Sequence, residues 1–327
     1  MTPTRYGAPW LLVAAASGAA CGSATAALPD TARAAIGAAP PRPEILLPGV
    51  VSTGDDDCHA TLSPDGKTLY FLKSTPSFDL YTIVYTERSG GAWTRPRTAP
   101  FSGQYPDGDL AFTRDGRRAY FVSSRPVGGG PRSDTEIWTV ERDAAGRWGA
   151  PRHVDELSSP TDEWFPTPTA DGTLYFGSSR PGGLGGSDIW RARWLGDRFG
   201  PPENLGAPVN SPGDEIEALV TPDETELVFA ARGRPDSLGS YDLYISHRAG
   251  DAWQAPVHPG APVNSTAWDF GPRLSPDGQL LFFSSNRGFG SEPLSRPLGF
   301  EELEQRIRAP HNGLRDVYVV DPRALGL

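Results

Sequence analysis

The sequence predicts an all-β fold, a five-bladed β-propeller closed by its own N-terminal strand. Three observations predict it. A turn signature recurs five times, an aromatic strand follows it each time, and the last repeat lacks one strand that the N-terminal segment can supply.

The turns centre on Asp65, Asp115, Asp171, Asp223 and Asp277, which are 50, 56, 52 and 54 residues apart. Four of them read Asp-Gly between apolar runs, the strongest short hairpin signal, because such turns need residues that tolerate positive φ. Glu224 replaces glycine in the fourth copy, which predicts a different turn type there. Each turn leads into an apolar strand in which Phe71, Phe121, Phe176, Phe229 and Phe283 hold the same place. A Gly-rich loop follows, and an acidic residue (Asp79, Glu136, Asp188, Asp242, Asp316) opens a third strand. The fourth strand carries an aromatic residue and then proline, as in Trp93 with Pro96 and Trp148 with Pro151. Proline suits the outer edge of a blade, where no ladder hydrogen bond is required of it.

The fifth copy ends without a fourth strand. Pro43-Glu44-Ile45-Leu46-Leu47 matches Pro202-Glu203-Asn204-Leu205 and leads into the next copy at a similar distance. Pairing it with the last blade would complete the ring and remove a free sheet edge. The propeller accordingly spans residues 42–327.

The run Ser-Pro-Asp-Gly, then Leu-Tyr-Phe, Ser-Ser-Arg, a Gly-rich loop and Asp-Ile-Trp resembles the WD-like repeat of TolB-type exported proteins, over about residues 43–323. That resemblance implies an exported propeller with a tendency to bind protein or polymer, and it brings no catalytic residue. TolB itself has six blades and an extra N-terminal α/β domain, which this chain lacks.

Residues 1–26 read as a signal. Arg5 precedes the apolar run Leu11 to Ala20, which is too short to span a bilayer as a mature helix. Two processing sites compete: Gly18-Ala19-Ala20-Cys21 resembles a lipobox with lipidation at Cys21, and Ala24-Thr25-Ala26 suits ordinary cleavage. Residues 27–41, rich in Ala and Pro, read as a tether. The protein is therefore expected in the periplasm or at the cell surface, touching membrane only through a lipid anchor. A net charge of −10 argues against nucleic acid as a partner, since that needs a basic face. With Cys21 processed, Cys58 is the remaining thiol and reads as a small buried hydrophobe.

Eight residues before each turn aspartate stands an acid: Asp57, Asp107, Glu163, Glu215 and Asp269. They form a predicted ring of carboxylates near the channel mouth, beside the bases Lys73, Arg125, Arg180, Arg232 and Arg287. Such a ring needs partners, a cation or raised pKa values. No cofactor motif stands out; a divalent cation such as calcium is the ion the ring would suit. Two residues on, the column reads His59, Asp109, Phe165, Glu217 and Gly271, so His59, Asp109 and Glu217 break the symmetry as a single ligand requires. Trp164 and Phe270 flank the ring as candidate stacking surfaces. Residues 288–315 replace a short loop and include FEELEQRIR, which predicts a short amphipathic helix serving as lid, docking element or plug.

Two functions follow. The first is a non-catalytic binding or scaffold propeller of the cell envelope, with a protein or polysaccharide partner on the channel face. The alternative is a glycan-cleaving enzyme, with Glu163 or Glu215 as acid and Asp57 as base or nucleophile.

Overall fold

The computed structural model describes residues 36–37, 39–128, 130, 134–290 and 294–327. Strand β1 (Glu44–Ile45) comes first in the chain but belongs to the last blade. Blade 1 holds β2 (Asp56–Leu62), β3 (Thr68–Ser74) and β4 (Tyr81–Ser89), with β5 (Ala92–Trp93) and β6 (Arg97–Thr98) outermost. Blade 2 holds β7 (Asp107–Phe112), β8 (Arg118–Ser123), β9 (Glu136–Glu141) and β10 (Arg152–His153). Blade 3 holds β11 (Glu163–Pro168), β12 (Leu174–Ser178), β13 (Asp188–Ala192) and β14 (Glu203–Asn204). Blade 4 holds β15 (Asp214–Val220), β16 (Glu226–Arg232), β17 (Asp242–Ala249) and β18 (Ala252–Trp253). Blade 5 holds β19 (Asp269–Leu274), β20 (Leu281–Ser285), β21 (Asp316–Val320) and β1, and between β20 and β21 lies helix α1 (Phe300–Ile307). Neighbouring first strands pack against one another around the axis, and β19 closes on β2. The ring has five blades.

Closure is as the repeat count requires. Glu44 faces Val319 and Ile45 faces Tyr318 in an antiparallel pair. Leu46 and Leu47 then sink completely into a cluster with Phe282, Val317 and Val319. Ser52 adds a reciprocal pair of hydrogen bonds with the Val317 backbone, both 3.0 Å. The five repeated phenylalanines are at most 2% exposed, as expected for residues between stacked sheets.

Some local expectations are corrected. Glu224 takes φ 56°, and its N–H bonds the Thr221 carbonyl at 2.8 Å, as the Gly66 N–H bonds that of Ser63. The fourth turn is thus of the same kind. Its left-handed glutamate is held by tertiary contacts, since its carboxylate accepts from the Tyr175 hydroxyl at 2.6 Å and from Arg248 at 2.9 Å. Asp79 is exposed and precedes β4, whereas Glu136, Asp188, Asp242 and Asp316 open their strands as expected. Pro96, Pro151 and Pro202 sit just before the outer pieces β6, β10 and β14. The signal, its lipidation residue Cys21 and most of the tether lie outside the described residues. Among the described residues, no helix is long and apolar enough to cross a membrane.

Candidate functional site

Every first strand carries a register shift at the same place, a β-bulge between Cys58 and Thr61 in blade 1 and its equivalents in the other four. At each bulge one residue adopts positive φ: His59, Asp109, Phe165, Glu217 and Gly271, at 51° to 64°. Bulges re-aim side chains. Here they turn three polar groups toward one another on the axis. Asp109 Oδ1 lies 3.0 Å from His59 Nδ1, and Glu217 Oε1 lies 3.2 Å from Nε2. The second oxygen of each carboxylate accepts a backbone N–H from a neighbouring blade, Phe165 to Asp109 at 3.1 Å and Gly271 to Glu217 at 2.7 Å. Phe165 and Phe270 meet the imidazole edge-on at 5.6 and 5.4 Å.

Beneath them lies Arg273, almost wholly buried, its guanidinium 3.5 Å above the Phe165 ring centre. It donates to the Pro166 carbonyl at 3.2 Å and to the Thr167 hydroxyl. Burial pushes this arginine down to about 9, against the opposing pull of Asp109 and Glu217, and it remains cationic at neutral pH. Burial also opposes a charged His59, but with the Cys58 thiol neutral it is the charges of Asp109 and Glu217, and the bond to Asp109, that outweigh it and hold the imidazole above its ordinary value. Burial likewise works against Asp109 ionisation, and the His59 charge and bond overcome it, so this carboxyl sits below its usual range. The axis thus sets the His59 imidazolium and the Arg273 guanidinium against the Asp109 carboxylate, with the Glu217 carboxyl group on the far side of the imidazole. The sequence reading missed Arg273, although it is the one charged member of the column Thr61, Ala111, Thr167, Leu219 and Arg273, a departure from the repeat that is a signal of its own.

The five ring acids Asp57, Asp107, Glu163, Glu215 and Asp269 do not join this cluster. Each has no exposed surface and meets a base of its own blade: Lys73 at 2.8 Å, Arg125 at 3.0 Å, Arg180 at 2.9 Å, Arg234 at 2.8 Å, and Arg287. The fourth base is Arg234, not Arg232, which pairs with Asp214 instead. Each acid also accepts a hydroxyl from the preceding linker, from Thr53, Ser102, Ser159, Ser211 and Ser265. The arginines reach the same linkers through the carbonyls of Phe101, Leu157, Val209 and Val263. The ring therefore locks linker to second strand in every blade. Asp57, Glu163 and Glu215 cannot touch a substrate from there, so the acid, base and nucleophile roles expected of them are corrected. Glu163, pushed up to about 7 by burial, shares its site with Glu136 rather than with a cleft. Among the described residues no set of three His, Cys, Asp or Glu side chains converges to hold a metal ion.

Aromatic rings surround the axial cluster. Trp268, 43% exposed, meets Tyr241 at 5.8 Å and Phe270 at 6.5 Å, which continues to His59. Burial, then the nearby charges of Asp214 and Glu217, push the Tyr241 phenol up to about 12, with Arg232 pulling the other way. Burial and the charges of Asp109 and Asp107 raise that of Tyr81. Trp164 is half-buried over Gly177, and Phe270 is buried. The bulge also places the Cys58 sulfur 3.8 Å from His59 Nδ1, where simple strand alternation would have separated them. Burial raises that thiol and keeps it neutral. Helix α1 forms where the spacing predicts it, but Phe300, Leu303 and Ile307 are exposed, so it does not plug the blade surface.

No family model matches the chain, and no curated protein matches it. The TolB-type resemblance rests on the repeat residues alone. Solved structures share the fold. The α-L-arabinofuranosidase of Lactobacillus brevis is 17% identical, covering 84% of this chain and 92% of that one, at TM-score 0.47. The α-L-arabinofuranosidase of Podospora anserina, in complex with cellotriose, is 13% identical over 84% and 91%, at TM-score 0.43. The periplasmic gluconolactonase of Pseudomonas aeruginosa is 14% identical over 70% and 64%, at TM-score 0.39. At these identities the likeness is one of fold. The expectation of a non-catalytic binding or scaffold propeller is corrected at the axis itself, where two carboxyl groups, Asp109 and Glu217, flank one imidazole, a pairing of the kind its glycan-cleaving alternative calls for.

Proposed function

We propose that this chain is an exported glycan-cleaving enzyme whose carboxylate pair is Asp109 and Glu217. The observation that carries the reading is the imidazole of His59 held between those two acids, at 3.0 and 3.2 Å. Across a ring whose nitrogens are about 2 Å apart, the two oxygens lie within roughly 8.5 Å, inside the span of about 5–9.5 Å that glycosidases use. Asp109, held ionised by His59 and Arg273, serves as base toward water. Glu217 serves as acid and takes its proton from the adjacent His59 Nε2. As the glycosidic C–O bond breaks, the Glu217 proton passes to the leaving oxygen. Water bonds the anomeric carbon and its proton passes to Asp109. Trp268 and Tyr241 supply aromatic faces on which a sugar ring stacks.

The test uses the full chain against a panel of neutral and acidic polysaccharides and aryl glycosides, reading released reducing ends. Asp109→Asn and Glu217→Gln should each lower kcat by about 10²–10⁴-fold with folding intact. Activity of either variant equal to wild type, or no release from any substrate in the panel, overturns the assignment. Export is tested separately, by fractionation of wild type and Cys21→Ala.

A further inference from the structure

The face opposite the axial cluster, where the Asp-Gly turns lie, carries a feature that the reading of the axis does not use. A groove of about 580 Å³ runs between blades 2 and 3, walled by Thr113 to Arg118 on one side and by Pro168 to Gly172 with Trp194 on the other. A second groove of about 830 Å³ lies between blades 1 and 2, and Arg142 lines both. In a chain of net charge −10, these grooves collect bases. The first holds Arg114, Arg117, Arg118 and Arg142, and the second adds Lys67, Arg88 and Arg147.

The repeat shows that the bases are not structural parts of a blade. At the turns the sequence reads Pro64 and Lys67 in blade 1, Arg114, Arg117 and Arg118 in blade 2, Ala170 and Thr173 in blade 3, Pro222 and Thr225 in blade 4, and Pro276 and Gln279 in blade 5. A group needed by every blade recurs in every blade, as the ring acids do. These arginines are confined to one turn, and a single ligand requires that asymmetry. Nor are Arg114 and Arg117 consumed locally. Asp115 and Asp171 bond hydroxyls and backbone N–H groups of their own turns. Glu141 takes Arg118 at 2.7 Å and Arg152 at 3.0 Å. Arg114 and Arg117 are exposed, and among the described residues their guanidinium groups have no hydrogen bond or ion pair. Arg142 stacks on Trp148 at 4.3 Å and donates to the Tyr70 hydroxyl at 3.5 Å, on the ridge between the grooves.

We propose that the two grooves form a track for an acidic polysaccharide, with carboxylates or sulfates meeting Arg114, Arg117 and Arg142, and sugar rings lying against Trp194. Guanidinium forks match carboxylate geometry, and half-exposed aromatic rings suit sugar faces. Nucleic acid fits less well. Its charge, one per about 1.7 Å of duplex, exceeds what a track interleaved with Asp65, Glu87, Asp115, Glu141 and Asp171 can neutralise, whereas a uronate polymer spaces its charges more widely. Held at this face, a polymer would be retained while its cleavable ends reach the axis of the same or another molecule.

Affinity electrophoresis of the full chain tests the proposal, with polygalacturonate, its fully methyl-esterified form, and duplex DNA as probes. Polygalacturonate should retard wild type, the neutral ester should not, and added salt should weaken retardation. Arg114→Ala combined with Arg117→Ala should weaken binding about tenfold or more with unchanged Tm, since both side chains are exposed. Hydrolysis of short aryl glycosides at the axis should be unaffected, which separates this site from that one. Absence of retardation, equal retardation by the ester, an unaltered double variant, or tighter binding of DNA each overturns it.

Discussion

At the scale of single residues, the axis depends on a space that one residue vacates. A Cβ on Gly271 would stand 2.5 Å from His59 Cδ2, so the glycine of blade 5 is the seat of the histidine of blade 1. In the sequence that glycine reads as a side chain missing from a functional column; in the structure it is what lets the column close. The histidine it admits sets a pH dependence. Its folded pKa is raised well above the ordinary value, so the stability it contributes is fully present below about 6.5 and is lost as pH rises through the folded value. The difference in Tm between wild type and His59→Gln should therefore shrink from mildly acidic to alkaline pH. A difference that stays constant across that range would show that His59 is not the charged partner of Asp109 and Glu217.

At the scale of elements, two devices hold the blades. One is the lock of ring acid, linker hydroxyl and second-strand base. Its acid and base columns are visible in the sequence because they recur, although blade 4 shifts its base to Arg234 after one inserted residue. The other is strand β1. It is two residues long, yet the chain that continues from it carries Leu46 and Leu47, both wholly buried, into the last blade. Leu47→Ala should cost about 2–5 kcal/mol in chemical denaturation. Deleting Pro43 to Val50 should abolish cooperative unfolding altogether, because it leaves β21 an open edge as well as a void. A deletion variant that still unfolds in one sharp transition would mean that the ring does not rely on this strand.

At the scale of the whole molecule, five sheets share one packing scheme, and the repeated phenylalanines should show it. Phe71, Phe121, Phe176, Phe229 and Phe283, equally buried, should each cost about 3–5 kcal/mol as alanine; urea denaturation curves check this, and a spread much wider than that range would indicate unequal blades. The number of blades, the closing segment, the turn positions, the buried phenylalanines and the membership of the column His59, Asp109, Phe165, Glu217 and Gly271 were legible in the sequence, while the column that holds Arg273 was not singled out. They follow from periodic hydrophobicity and turn chemistry, which act over a few residues and repeat. Which members of a column meet was not legible. Strand alternation placed Asp57 and His59 on one face, and the bulge between them sends the first into a blade lock and the second to the axis. Asp109 and Glu217 are 50 and 158 residues from His59, and Arg273 is 56 beyond Glu217. Only closure of the ring brings them within hydrogen-bonding distance. Side-chain convergence on an axis depends on the geometry of all five blades at once, and no local pattern encodes that.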